Sequence, residues 1–253
     1  MKVELYPQNG NNKFSDANGS AIPALLAGKL DIVMDSSTAY VVPTGIKELQ
    51  VFDMPFLFRS YKEAHTIIDG PIGQDVLQKL QAKGLQGIGY EEVGFRVFFN
   101  NVRPINRPAD MQDLRIRSIN NPIYLKTFEA LGAKPKPLGY PKLYEALKNK
   151  EFDGADMPVT IGYDTKFYEV QKYMSLVNYV YTPAIVSANK KWWDGLSAGE
   201  HKIINDAMIK ARDFSRIENR RQIQANTAEM QAKGIGIEWW IRMNQALNTL
   251  RKE

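Results

Sequence analysis

The strongest constraint on this chain is a repeated alternation in which a helical run ends at glycine and a short apolar run follows. Residues 21–27 carry Ile22, Leu25 and Leu26 at helical spacing and stop at Gly28, and residues 30–34 then read as a short buried strand. The rhythm returns. Residues 60–83 are helical by pattern and close at Gly84, and strand-like runs follow at 87–90 and 96–100. Residues 114–118 are strand-like, Pro122 opens a helix to about Leu131, and Gly132 closes it. Further on, residues 140–148 and 163–170 read as helices, 152–156 as a strand and 177–188 as an extended run. An amphipathic helix covers 198 to about 233. At the start, residues 2–7 alternate like a strand and end at a turn-rich stretch. Strands alternating with helices predict an α/β fold with mostly parallel sheets covered on both faces, whose ligands gather at strand carboxyl ends.

Composition excludes several chemistries. The absence of cysteine rules out disulfides, thiolate metal sites and cysteine nucleophiles. A formal charge of +5 suits either a small anion or a nucleic acid, but the basic residues are scattered in short runs and no nucleic-acid motif accompanies them. No run approaches the roughly 20 apolar residues of a membrane-spanning helix. Residues 1–6 lack the charged and apolar pattern of a secretion signal, so such a signal is expected to be absent from this sequence. The two histidines, His65 and His201, are far apart and read as plain helix residues. No nucleophile elbow, phosphate loop or kinase signature is present, and no cofactor or metal is expected. Glu91 and Glu92 are adjacent on a strand-like stretch, so they point to opposite faces and do not form an acid–base dyad.

Arg117 is the most informative cation. It falls at the carboxyl end of the strand-like run 114–118, just before the helix at Pro122, where a guanidinium and a helix N-terminus can face one anion. On these residues alone, a surface salt bridge is the favoured role.

The order and spacing of several segments resemble the substrate-binding subunits of TRAP (tripartite ATP-independent periplasmic) transporters. The segments are Leu26-Ala27-Gly28-Lys29-Leu30-Asp31-Ile32, Met54-Pro55-Phe56-Leu57-Phe58, Gly94-Phe95-Arg96 and the run from Pro108 to Arg117. Leu131-Gly132-Ala133, Leu143-Tyr144-Glu145-Ala146-Leu147 and the run from Lys166 to Tyr173 continue the match, which covers most of the chain.

The resemblance implies a two-lobed periplasmic-binding-protein-like fold with mixed, mostly parallel sheets and a long helix spanning both lobes. Lobe I would hold residues 1–94 and 183–222, and lobe II residues 95–182 and 223–253. It implies a non-enzymatic periplasmic protein, expected to be monomeric, that closes its lobes about a hinge on a small organic anion and presents it to membrane-embedded permease subunits. In the family, the arginine matching Arg117 pairs with the substrate carboxylate, and Arg96 would be a second, assisting cation. Asn120, Tyr140, Asp156 and Met157 would line the same pocket, with Asp35, Ser36, Ser37 and Tyr40 contributing from the first lobe. Tyr140 and Met157 read equally well as core, and Ser36 and Ser37 as helix caps. Met157 replaces an asparagine found in sialic-acid-binding members, which speaks against a heavily hydroxylated sugar acid.

Two departures accompany the resemblance. Roughly thirty residues, about one β-α unit, precede the position of Lys2 in the family, and their loss would leave unpaired sheet edges or a gap for a neighbour to fill. The tail after Gly236 is also unlike the family pattern. Two other readings are an α/β enzyme using Asp156 or Glu92 as general base, and a ligand-sensing binding module.

Overall fold

Glycine and proline set where the helices stop, and the computed structural model, which describes residues 3–6 and 13–239, follows that punctuation closely. Its first half contains α1 (Ile22–Leu26), β1 (Ile32–Ser36), α2 (Ser37–Thr44), α3 (Tyr61–Asp69), α4 (Pro71–Lys79), β2 (Leu85–Asn100), β3 (Arg115–Ser118) and α5 (Pro122–Ala130). The second half contains β4 (Lys134–Pro137), α6 (Leu143–Lys148), β5 (Gly154–Pro158), α7 (Val159–Asp164), α8 (Phe167–Val170), β6 (Tyr173–Leu176), β7 (Tyr181–Asn189), α9 (Lys190–Asp194), α10 (Ala198–Ala232) and β8 (Gly236–Trp239). Among the described residues, no helix is long and apolar enough to cross a membrane.

Several expected elements are divided or joined. The helix expected over 60–83 breaks at Gly70-Pro71, because proline lacks the N–H that a continuous helix would use and is well suited to a first turn. Ser60 starts the first piece, its Oγ accepting from the Glu63 amide at 3.2 Å. Conversely, the two strands expected at 87–90 and 96–100 are one strand, β2, which passes through Gly94 at φ +105°, a conformation that only glycine adopts readily. The strand expected over residues 2–7 does not form where it is described: Val3–Tyr6 is exposed and lies outside every sheet. Three strands, β4, β6 and β8, are not among those expected from the sequence. The Lys134-Pro135-Lys136-Pro137 run of β4 reads as a loop, and it is tolerated as a strand because β4 closes the strand order, where the missing donors need no partner.

The chain divides into two compact units. The first gathers the described residues up to Gly94 with Gly139–Pro141 and Tyr181–Asn219. The second gathers Phe95–Leu138, Lys142–Val180 and the described residues from Arg220 onward. The long helix α10 contributes residues to both.

In the first unit β1 pairs antiparallel with β7, Val33 opposite Ser187, and β7 lies between β1 and β2 in strand order. Leu25, Leu49, Phe52, Ile68, Leu80, Leu85 and Ile185 form its buried core. In the second unit the strand order is β2-β5-β3-β4, with β6 on β2 and β8 on β6. The β3–β4, β3–β5 and β6–β8 pairs are parallel, and the pairs β2 makes with β5 and β6 are antiparallel.

Adjacent residues of a strand face opposite sides, and β2 shows how this builds two layers of helix. Phe98 packs against Phe128 of α5 at 5.7 Å between ring centroids, while Phe99 packs against Phe167 of α8 at 5.3 Å. Each ring is fully buried and contributes about 1.5–3 kcal/mol of apolar burial. Gly154 and Gly162 allow this approach: a Cβ on Gly154 would stand 2.1 Å from the Phe99 carbonyl, and one on Gly162 would stand 2.6 Å from the Phe99 ring.

Candidate functional site

The parallel strands β3 and β5 end on the same side of the second unit, and the sequence-predicted residues of that unit collect near those ends. Arg117 is the third residue of β3 and is 4% exposed, so a fully charged guanidinium is held inside the protein. Its Nε donates to the Leu138 carbonyl at 2.8 Å, and the Leu138 amide in turn bonds the Ser118 carbonyl. Main-chain atoms therefore anchor the guanidinium at its Nε. Four residues on from Arg117, Asn121 caps α5 by accepting from the Ile123 amide at 2.9 Å, and Pro122 opens the helix. The N-terminal turn of α5 thus adds partial positive charge just beyond the strand.

Register separates the two arginines. Arg117 pairs with Ala155, and Met157, two residues along β5, pairs with Val97. Arg117, Ala155, Met157 and Val97 therefore share one face of the sheet. Asp156 pairs with Phe98 and Arg96 with Pro158, which places both on the opposite face, under α5.

There Arg96 and Asp156 form a buried ion pair: Arg96 Nε meets Asp156 Oδ2, and Nη2 donates to the Asp156 carbonyl at 2.9 Å. Tyr179 donates its hydroxyl to the same Oδ2 at 2.5 Å, and the Tyr124 ring lies 5.4 Å from the guanidinium carbon. Burial alone would push the Arg96 guanidinium down, but the Asp156 carboxylate outweighs it and holds it above its ordinary value. Burial, followed by the same carboxylate, pushes the Tyr179 phenol well up, so it remains a donor. The expectation that Arg96 assists Arg117 as a second cation is corrected accordingly: its charge is already met by Asp156, on the other side of the sheet.

The remaining predicted residues are distributed as follows. Asn120 is exposed between β3 and α5, and Met157 is buried at 4% exposure. In the first unit, Asp35 accepts from Ser20 Oγ at 2.9 Å and from the Ser36 amide at 2.7 Å. Ser36 occupies the N-cap position of α2 without a side-chain capping bond, and Ser37 is fully buried, with no partner for its hydroxyl among the described residues. Tyr140 is half-buried in the Gly139–Pro141 segment, which belongs to the first unit. Tyr40 does not meet its expectation as a ligand contact. It is fully buried, and its hydroxyl reaches the Ile185 carbonyl at 3.1 Å and the Ser187 hydroxyl at 2.9 Å, so it belongs to the β1–β7 core.

Neither carboxylate of the alternative enzymatic reading is placed as a general base. Asp156 is held by Arg96 and Tyr179. Glu92 is buried against His65 Nε2 at 2.6 Å and the Tyr181 hydroxyl at 3.2 Å. Glu91 meets Ser215 of α10 instead, so the adjacent glutamates do point to different elements. Sequence reading missed Tyr124, Tyr179 and the Leu138 carbonyl. Nothing in the local pattern marks a tyrosine 23 residues away as the partner of Asp156.

The profile of a family described as bacterial extracellular solute-binding protein, family 7 (DctP), matches residues 1–247. The chain is 32% identical over 218 residues to the 2,3-diketo-L-gulonate-binding periplasmic protein YiaO of Escherichia coli, covering 85% of this chain and 64% of that protein. It is 30% identical over 229 residues to the C4-dicarboxylate-binding periplasmic protein DctP of Rhodobacter capsulatus, covering 89% and 67%. The chain thus spans about two thirds of the length of these curated relatives. The crystal structure of the sugar acid binding protein DctPAm from Advenella mimigardefordensis, in complex with galactonate, superimposes with a TM-score of 0.84 at 34% identity, covering 90% of this chain and 73% of that one.

Proposed function

Since the chain belongs to family 7 of the bacterial extracellular solute-binding proteins, the DctP family, we propose that it captures a small organic carboxylate in the periplasm and delivers it to the membrane subunits of a TRAP-type transporter. The observation that carries this reading is the buried, backbone-anchored guanidinium of Arg117 at the carboxyl end of β3. A planar fork of donors in a fixed orientation matches a carboxylate through two parallel hydrogen bonds, and pre-fixing it lowers the ordering cost of binding. The relatives' printed ligands, a diketogulonate, C4-dicarboxylates and galactonate, are all organic acids.

Met157 refines the ligand class. It lies on the same face as Arg117 and offers a thioether where a hydroxylated ligand would want donors and acceptors. The proposed ligand is therefore a carboxylate whose body is less hydroxylated than a long sugar acid. Asn120, with Asp35, Ser36, Ser37 and Tyr140 of the first unit, remains part of the proposed ligand environment.

Isothermal titration with dicarboxylates, short hydroxy acids, galactonate and neutral analogues tests the reading. Carboxylates should bind and their neutral amides should not. Arg117→Ala should weaken binding about 30-fold or more, the equivalent of one charge-assisted pair, and Arg117→Lys should recover only part of it. Tight binding of neutral compounds alone, or an undiminished affinity in Arg117→Ala, would refute the assignment.

A further inference from the structure

The second unit holds a cavity of about 480 Å³ at the amino end of β3, away from the end that carries Arg117. The Asp153 amide bonds the Arg115 carbonyl at 2.8 Å, so the residues that lead into β5 stand beside the first residue of β3. Every lining residue falls between Asn101 and Lys172, and neither Arg117, Asn120, Tyr140 nor Met157 is among them. Strand β8 runs parallel to β6, from Gly236 beside Tyr173 to Trp239 beside Leu176, so the chain leaves β8 at the strand end away from Lys172.

The cavity combines an apolar floor with basic walls. Leu147 and Phe152 are buried beneath it, whereas Lys148, Lys150 and Lys172 are exposed around it. With Arg115 these make four cations against two carboxylates, Asp153 and Glu169, a surplus of two positive charges. Both carboxylates are already engaged: Arg115 Nη2 donates to Asp153 Oδ1 at 2.6 Å, and the Tyr144 hydroxyl donates to Glu169 Oε2 at 2.6 Å. The Lys150 and Lys172 ammoniums have no carboxylate partner among the described residues, and Arg115 keeps its Nη1 unengaged.

One buried group points to more than a loose cluster of surface charge. Gln171 lines the same cavity at 4% exposure. Its Nε2 donates to the Val170 carbonyl at 2.8 Å, which leaves Oε1 as the acceptor, and that oxygen has no partner among the described residues. A buried acceptor without a donor is costly, and a ligand that brings an O–H or N–H relieves it.

We propose that this cavity is a second binding site, separate from Arg117, for a small dianion that also carries a hydroxyl group, such as the phosphate monoester of a short polyol. Its charged oxygens meet Lys150, Lys172 and Arg115 Nη1, its hydroxyl donates to Gln171 Oε1, and its carbon body rests on Leu147 and Phe152. A phosphate monoester carries about −1.5 to −2 charge at neutral pH, which matches the surplus of the walls. A monocarboxylate leaves part of that surplus unmet, and a neutral polyol meets none of it.

Isothermal titration of the full chain with glycerol 3-phosphate, inorganic phosphate and glycerol is the test. Glycerol 3-phosphate should bind more tightly than inorganic phosphate, glycerol should not bind, and the affinity should fall as salt screens the exposed cations. Arg117→Ala should leave this affinity unchanged. The double variant Lys150→Gln/Lys172→Gln alters exposed side chains only, so it should keep the parent's thermal midpoint while weakening glycerol 3-phosphate about tenfold or more, as expected for two lost charge-assisted contacts. Gln171→Met should bring glycerol 3-phosphate down to the affinity of inorganic phosphate. A parent that does not bind glycerol 3-phosphate, or binds it no better than inorganic phosphate, would overturn the proposal. So would loss of that binding in Arg117→Ala, or parental affinity in the double variant.

Discussion

Replacing Asp156 with asparagine keeps the shape of the side chain and removes the charge that Arg96 faces. Both residues are buried, at 0% and 5% exposure, and water cannot take over the neutralisation. Breaking a buried pair by removing one partner costs about 3–5 kcal/mol, because the remaining charge stays desolvated. For a chain of this length each kcal/mol moves the melting temperature by about 2–4 °C, so Asp156→Asn should melt roughly 6–20 °C below the parent in calorimetry at neutral pH. The double variant Arg96→Met/Asp156→Asn removes the stranded charge and should regain most of that loss. The two single variants and the double form a cycle that isolates the coupling. An Asp156→Asn midpoint within about 2 °C of the parent, or a double variant no more stable than that single, would show that the pair does not hold the second unit together.

Other consequences are open to the same kind of measurement. Tyr40→Phe leaves the Ser187 hydroxyl without its buried partner and should cost about 1–3 kcal/mol in chemical unfolding, while carboxylate affinity stays unchanged; a loss of affinity with normal stability would return Tyr40 to the ligand site. Arg216 donates to both oxygens of Asp69, at 2.7 and 2.9 Å. Burial pushes the Asp69 carboxyl up, but the Arg216 hydrogen bonds and charge outweigh it and hold it below its ordinary value. A depressed carboxyl contributes stability that is present at neutral pH and lost as pH falls through the acidic range. Arg216→Ala should therefore be destabilised by about 1 kcal/mol at pH 7, discounted for partial exposure, and the difference should shrink as pH falls through the acidic range; a pH-independent difference would contradict the assignment.

Local pattern made much of the molecule legible. Helical spacing closed by Gly28, Gly84 and Gly132 placed α1, the α3–α4 stretch and α5 close to their observed positions, because side-chain periodicity and a left-handed glycine are encoded within a few residues. The division of Glu91 from Glu92 followed from strand alternation alone, and their partners, Ser215 on one hand and His65 with Tyr181 on the other, agree with it. Arg117 was likewise locatable, at a strand end followed by a proline-initiated helix. Its anchoring on Leu138 was not.

Pairing belonged to the tertiary structure. Arg96 and Arg117 look equivalent along the chain, yet the register of β2, β5 and β3 sends them to opposite faces and gives Arg96 a carboxylate 60 residues away. The same holds for the Pro-containing β4 and for Val3–Tyr6, which lies outside any sheet. A sequence states which side of a segment is apolar. Which strand stands beside it, in what register, and which buried charge meets which partner depend on contacts between residues far apart in the chain, and no periodicity within a segment carries that information.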